Sequence, residues 1–238
     1  ALKLRSKYKI PCAVYIHHIP LQINVYPFRR GFIKVLLYNF YFSLLLKLFR
    51  VYSVPIFLDN PNTLKGFKNV YPHLDALPEN VVKFISKNAK KEYDICYVGR
   101  LQKHKGVEDI IKTVKFLKEK HGLKTRTVLI GSVDPKYKKK LFKIIEKYDL
   151  NDYIFLTGYL DDSEKYELMS KSKIFVSLSY EEGWGLSVME AAALGIPVVA
   201  YDLPAYYYLK NNYYKARLGD IMDAADTIAY VLKHYDEA

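Results

Sequence analysis

From residue 94 onward, short runs rich in Ile and Val alternate with segments whose apolar residues recur every three or four positions. That alternation limits the chain to few folds. Asp94-Ile95-Cys96-Tyr97-Val98-Gly99 reads as a buried strand closed by glycine. Val107, Ile110, Ile111, Val114 and Leu117 then mark one face of a helix. Arg126 to Gly131, Tyr153 to Gly158, Ile174 to Ser179 and Ile196 to Tyr201 read as further strands. Between them fall a helix with Leu141, Ile144, Ile145 and Tyr148 on its apolar side, a short helix from Ser163 to Ser170 capped by Asp161, Asp162 or Ser163, and a helix from Leu186 to Leu194. A last helix carries Ile221, Ala224, Ala225, Ile228 and Leu232. Continuously apolar strands belong in a parallel sheet covered on both faces, and such strands joined by helices wind right-handedly. The expected fold class is α/β, with a Rossmann-like parallel-sheet domain over residues 86–238. Its ligand should lie beyond the carboxyl ends of the strands.

The earlier part is less regular. Cys12 to Ile16 and Val54 to Leu58 read as strands, while Pro61, Pro72 and Pro78 punctuate a turn-rich stretch from 60 to 92. Residues 1–85 are read as part of a second α/β domain with its linker. Residues 31 to 50 are strongly apolar and aromatic, with Arg29, Arg30, Lys34, Lys47 and Arg50 at or near the edges. The run is near the minimum length for a membrane span, but Lys34, Asn39 and Lys47 interrupt it. Two readings stay open: a buried helix of the first domain, or peripheral contact of residues 29–50 with an anionic membrane surface.

Charge and cysteine content narrow the function classes. With 37 Lys+Arg against 25 Asp+Glu, the formal charge of +12 favours anionic partners. Lys112, Lys115, Lys118 and Lys120 interleave with the apolar positions of one helix and are read as its solvated face. Cys12 and Cys96 lie in apolar, strand-like runs and cannot build a disulfide framework or a four-ligand zinc site. They read as buried thiols in a reducing compartment. No secretory signal opens the chain, and a cytoplasmic protein, at the inner face of the membrane if residues 29–50 touch it, is the expectation.

The densest chemistry is Glu181-Glu182-Gly183-Trp184-Gly185-Leu186-Ser187-Val188-Met189-Glu190. Glu182 falls in a glycine-containing loop after a strand, and Glu190 lies inside the helix that the loop opens. Gly183 and Gly185 let the backbone approach a ligand, and the amides at a helix start stabilise an anion. Glu190 can accept hydrogen bonds from vicinal hydroxyls, as acidic residues do for ribose in dinucleotide sites. A helix-start acid and a half-buried structural carboxylate would explain each Glu alone, but not their spacing with two glycines and the following Ala-rich turn. A second run, Val98-Gly99-Arg100-Leu101-Gln102-Lys103-His104-Lys105-Gly106, sets Arg100 and Lys105 between a strand end and a helix start. Two cations there can grip a diphosphate.

Together these segments resemble the donor site of the retaining GT-B-fold glycosyltransferases of family four. The resemblance covers residues 94 to about 230 well and residues 1 to 92 loosely. It implies that Glu182 contacts the transferred sugar, that the amides of Gly183, Trp184, Gly185 and Leu186 meet sugar and phosphate, and that Glu190 holds the nucleotide ribose. Arg100 and Lys105 would neutralise the leaving nucleoside diphosphate, with Gly99 at the start of their loop. Trp184 stands where the family usually has Phe. Gly131 resembles the glycine that lets the chain pass close to the nucleotide, and Tyr159, after Gly158, falls in the segment whose backbone meets the base. His17, reached from Pro11 along a strand, resembles the histidine facing the sugar from the first domain.

The implied donor is a nucleoside-diphosphate sugar of the UDP or GDP type, and the implied acceptor a glycan or lipid-linked glycan. No metal or other cofactor is required. The family's Gly-rich first loop near the acceptor is not found in this sequence, so the chain is read as truncated or as a naturally short version. A non-catalytic nucleotide-sugar-binding module working with a partner chain is the alternative. Nucleic acid is not an expected partner, because it would explain the charge but not the Glu pair.

Overall fold

The computed structural model describes residues 14–16, 56–58, 70–72, 79–85, 89–210 and 212–235. The chain divides into two compact units, Ala1–Asp75 with Glu182–Trp184, and Ala76–Glu181 with Gly185–Ala238. In the first unit, β1 (Val14–Ile16), β2 (Ile56–Leu58) and β3 (Val70–Pro72) pair in that order as a parallel sheet. The first two lie inside the runs read as strands. β3 falls in the stretch read as turns and linker, where three residues ending on a proline are too few to show a strand period.

The second unit is built on a six-stranded parallel sheet. Its strands are β4 (Tyr93–Val98), β5 (Thr127–Ile130), β6 (Ile154–Gly158), β7 (Ser172–Ser177), β8 (Val198–Tyr201) and β9 (Tyr214–Ala216). The helices are α1 (Val107–His121), α2 (Pro135–Lys147), α3 (Asp162–Ser170), α4 (Leu186–Ala193) and α5 (Ile221–Lys233). The period of two along each strand distributes side chains to two apolar layers. Ile95, Tyr97, Leu129, Ile174, Val176 and Val199 pack with the buried stripes of α1 and α5. Cys96, Val128, Ile130, Phe175, Val198 and Ala200 pack with Val188 and Ala191 of α4 and Tyr166 and Met169 of α3. Each fully buried aliphatic side chain stabilises the fold by about 1.5–3 kcal/mol relative to exposure. Cys96 is fully buried, and that burial pushes its thiol up to about 12, so it is a structural rather than a reactive cysteine.

Several boundaries differ from the sequence reading for local reasons. The cap of α3 is Asp161, whose carboxylate accepts from the Glu164 amide at 2.9 Å while Glu164 accepts from the Asp161 amide. β7 runs from Ser172 to Ser177, and the backbone of Leu178, just beyond it, lies close against Gly106 of the loop after β4. β9 was not legible: Tyr-Lys-Ala is three residues long and sits at the sheet edge.

The strand order is β6-β5-β4-β7-β8-β9. The chain winds outward from β4 through β5 to β6, then returns to the far side of β4 as β7 and winds outward the other way. The loops leaving β4 and β7, at the carboxyl ends of two neighbouring strands, lead to helices in opposite apolar layers, α1 and α4, and such a switch point is where open α/β sheets bind ligands.

Candidate functional site

Arg100 and Lys105 lie on the loop leaving β4, and Tyr180 to Gly185 on the loop leaving β7, so both motifs found in the sequence emerge at the switch point. The two loops are stitched together. The Tyr180 amide donates to the His104 carbonyl at 2.9 Å, and Lys105 Nζ lies 3.5 Å from the Glu181 carbonyl oxygen. Lys103–Lys105 form one 3-10 turn, closed by Gly106 in the left-handed region with φ 68°. A Cβ on Gly106 would sit 1.7 Å from the Leu178 carbonyl oxygen, so only glycine permits this approach. Arg100 is exposed, and its side chain makes no hydrogen bond or ion pair among the described residues. Lys105 is half-buried.

A second set of contacts fixes the start of the β7 loop. Asp109, on the first turn of α1 and 6% exposed, accepts from Tyr180 Oη at 2.6 Å and from Tyr201 Oη at 3.2 Å. Burial and then the Asp109 carboxylate raise both phenols above the ordinary tyrosine range, so both remain donors at neutral pH. The two rings also meet edge to face at 5.7 Å.

Gly185 caps α4, and Tyr208 Oη donates to its carbonyl at 3.4 Å. The first amides of that helix have no intrahelical acceptor and carry the positive end of its dipole. Leu186, the first helical residue, is exposed, whereas Trp184 is buried and Glu182 and Gly183 are half-buried in the preceding loop. Glu190 lies one turn in and is only 7% exposed. Its Oε1 accepts from Lys165 Nζ and from Tyr166 Oη, both at 2.9 Å.

The remaining expected positions line the same sheet edge. The Gly99 amide donates to the Ile130 carbonyl and the Gly131 amide to that of Gly158, which holds the ends of β4, β5 and β6 side by side. A Cβ on Gly131, where φ is 144°, would fall 2.0 Å from the Gly99 carbonyl oxygen. Tyr159 follows at the end of β6 with its side chain 80% exposed. His17 and residues 29–50 lie outside the described residues. Among the described residues no group of His, Cys, Asp or Glu could hold a metal ion, and no helix is long and apolar enough to cross a membrane.

Sequence reasoning missed Lys165, Tyr166, Asp109 and Tyr180. No short motif marks them, since each acquires its meaning from partners 24 to 92 positions away. The one available signal was Asp161-Asp162-Ser163-Glu164, which places the start of α3 and hence the side on which Lys165 falls.

A family model described as glycosyl transferases group 1 matches residues 79–238. The O-antigen biosynthesis glycosyltransferase WclY of Escherichia coli is 26% identical over 222 residues, covering 85% of this chain and 57% of that protein. Sucrose-phosphate synthase of Thermosynechococcus elongatus superposes on 99% of this chain and 62% of its own with a TM-score of 0.75 at 18% identity. HepE of Anabaena, solved in complex with UDP and glucose, does so over 96% of this chain and 64% of its own with a TM-score of 0.74 at 16% identity. The two structures share the fold, and the chain spans under two-thirds of the length of each of these three proteins. Because the family model spans about two-thirds of the 238 residues and takes in both loops at the switch point, the chain belongs to the group 1 glycosyl transferases.

Proposed function

We propose that this protein transfers a sugar from a nucleoside-diphosphate sugar, of the UDP or GDP type, to a hydroxyl of a glycan or lipid-linked glycan. Transfer retains the anomeric configuration and uses no metal. The observation that carries the reading is the meeting of the Arg100–Lys105 and Tyr180–Gly185 loops at one switch point, with Glu190 buried one turn into the helix that follows. In this scheme Glu190 accepts from the ribose hydroxyls, and the amides of Gly183 to Leu186 receive the sugar and phosphate. Glu182 orients the sugar. Arg100, exposed and without a protein partner among the described residues, grips the diphosphate together with Lys105 as its bond to the sugar breaks. Gly99, Gly131 and Tyr159 offer backbone to the nucleotide, and a role for His17 toward the sugar rests on the sequence resemblance alone. Fixed cations take the charge that a metal ion would otherwise neutralise. A lipid-linked acceptor is favoured by the basic, aromatic segment 29–50, which suits an anionic membrane surface.

The defining measurement is the anomeric configuration of the product, read by proton NMR of transfer from α-linked UDP- or GDP-sugars in the presence and absence of EDTA. An α-linked product at an unchanged rate in EDTA is expected. A β-linked product would overturn retention, and activity lost in EDTA and restored by Mg²⁺ would overturn the metal-free scheme. Saturable donor binding without any transfer to a range of acceptors would instead favour the non-catalytic module.

A further inference from the structure

Glu190 poses a physical problem that its ligand alone does not solve. A carboxylate only 7% exposed loses most of its hydration, and an uncompensated charge at such a site is costly. Two donors from α3 offset that cost, and both use the same oxygen. Lys165 Nζ and Tyr166 Oη each reach Oε1 at 2.9 Å, and Oε2 has no hydrogen-bond partner among the described residues. We propose that Lys165 and Tyr166 are positioning residues for the donor site. They hold Oε1 of Glu190 so that Oε2 is presented, correctly oriented, to the hydroxyls of the nucleotide ribose. This rests on reading Glu190 as the ribose-binding carboxylate.

The clamp is itself restrained. Lys165 Nζ also pairs with Asp162 Oδ1 at 2.8 Å and lies 4.2 Å from the centroid of the Tyr166 ring, so the ammonium is fixed from three sides. Tyr166 is fully buried, with Phe84 packed against its ring at 5.6 Å. The capping box of Asp161 and Glu164 sets the helix start at Asp162, and Lys165 and Tyr166 follow directly after Glu164. Burial acts to lower the Lys165 ammonium, but its bonds to Asp162 and Glu190 outweigh that and raise it above the ordinary lysine range. Burial and the Glu190 carboxylate push the Tyr166 phenol up to about 12. Both groups are therefore donors throughout neutral pH. Their contribution to stability is full below about 10, where free tyrosine and lysine still hold their protons, and is lost as pH rises from there through the raised range of the folded protein.

A merely structural ion pair would look the same in the unliganded fold but would be blind to the ribose. The test therefore varies ligand and protein together. Binding of UDP, GDP and ADP, and of their 2′,3′-dideoxy counterparts, is measured by calorimetry for the wild type, Lys165→Met, Lys165→Arg and Tyr166→Phe, with thermal midpoints recorded alongside. The wild type should prefer the nucleotide with intact ribose by about 10-fold or more, consistent with charge-assisted hydrogen bonds. Lys165→Met and Tyr166→Phe should weaken binding of that nucleotide about 5–20-fold while leaving the dideoxy analogue within about twofold. Lys165→Arg should recover most of the preference.

Parallel weakening of both ligands, or a ribose preference untouched by the variants, would overturn the positioning role while leaving the donor site standing. No binding of any intact nucleotide by the wild type would overturn the donor site and this role with it. If Lys165→Met does not fold, Tyr166→Phe decides, because it removes a single oxygen from a helix that keeps its cap.

Discussion

Replacing Arg100 by alanine is expected to lower turnover about 10²–10³-fold, the usual effect of deleting one preorganised group that stabilises charge developing in a transition state. Stability should barely change, because the Arg100 side chain is exposed and has no partner to lose among the described residues. Arg100→Lys should recover only part of the loss, since an ammonium cannot grip two phosphate oxygens as a guanidinium does. Lys105→Ala should cost a similar factor in turnover together with a small drop in thermal midpoint, because Lys105 Nζ also approaches the Glu181 carbonyl at 3.5 Å. Steady-state rates at saturating donor, with calorimetric melting of each variant, check both statements. A loss below about threefold for Arg100→Ala would remove that residue from the leaving-group site.

The largest stability effect is expected at Gly106, where the two loops touch. The φ of 68° costs an L-residue about 1–2 kcal/mol, and overpacking a tight site adds about 1–3 kcal/mol. Here the obstacles are the Leu178 carbonyl oxygen at 1.7 Å and its carbon at 2.4 Å, both backbone atoms that no side-chain rotation can relieve. Gly106→Ala should therefore destabilise by about 2–5 kcal/mol and lower the thermal midpoint on the order of 10 °C in a protein of this size. Gly122→Ala is the matched control. It has nearly the same φ, 66°, but nothing within 4 Å of the added Cβ, so only the conformational cost should appear. Equal melting shifts for the two variants would show that the close approach of the loops is not what Gly106 is for. Nucleotide affinity should fall with Gly106→Ala and stay unchanged with Gly122→Ala.

The parallel sheet of the second unit was legible because its evidence is periodic and redundant. Ile95, Leu129, Ile174 and Val199 stand in strands whose neighbours alternate between two apolar layers, and the strands of Ile95 and Leu129 are each followed by a glycine. The two loops were legible for another reason. Chemistry that needs Gly next to Glu, or Arg and Lys after a strand, leaves a fixed local spacing. What stayed hidden depends on distance in sequence. Nothing near residue 165 announces a carboxylate 25 positions later, and nothing at Asp109 announces Tyr180 or Tyr201. The end of β7 was misplaced by two residues for the same reason. Leu178 and Ser179 have ordinary strand character, while the close neighbour of the Leu178 backbone is Gly106, more than seventy residues earlier. Short edge elements such as β9 and β3 carry too few residues to show a period of two.

One titration addresses the central claim that the crevice between the β4 and β7 loops is a nucleotide-sugar site. Purified protein is titrated calorimetrically with UDP-, GDP- and ADP-sugars, alongside a Glu190→Ala, Arg100→Ala double variant whose folding is checked by its melting profile. The account predicts saturable binding of one nucleotide family by the wild type, weakened at least about 100-fold in the double variant. Equal affinity in both proteins, or no binding of any of the three by folded wild-type protein, would contradict it.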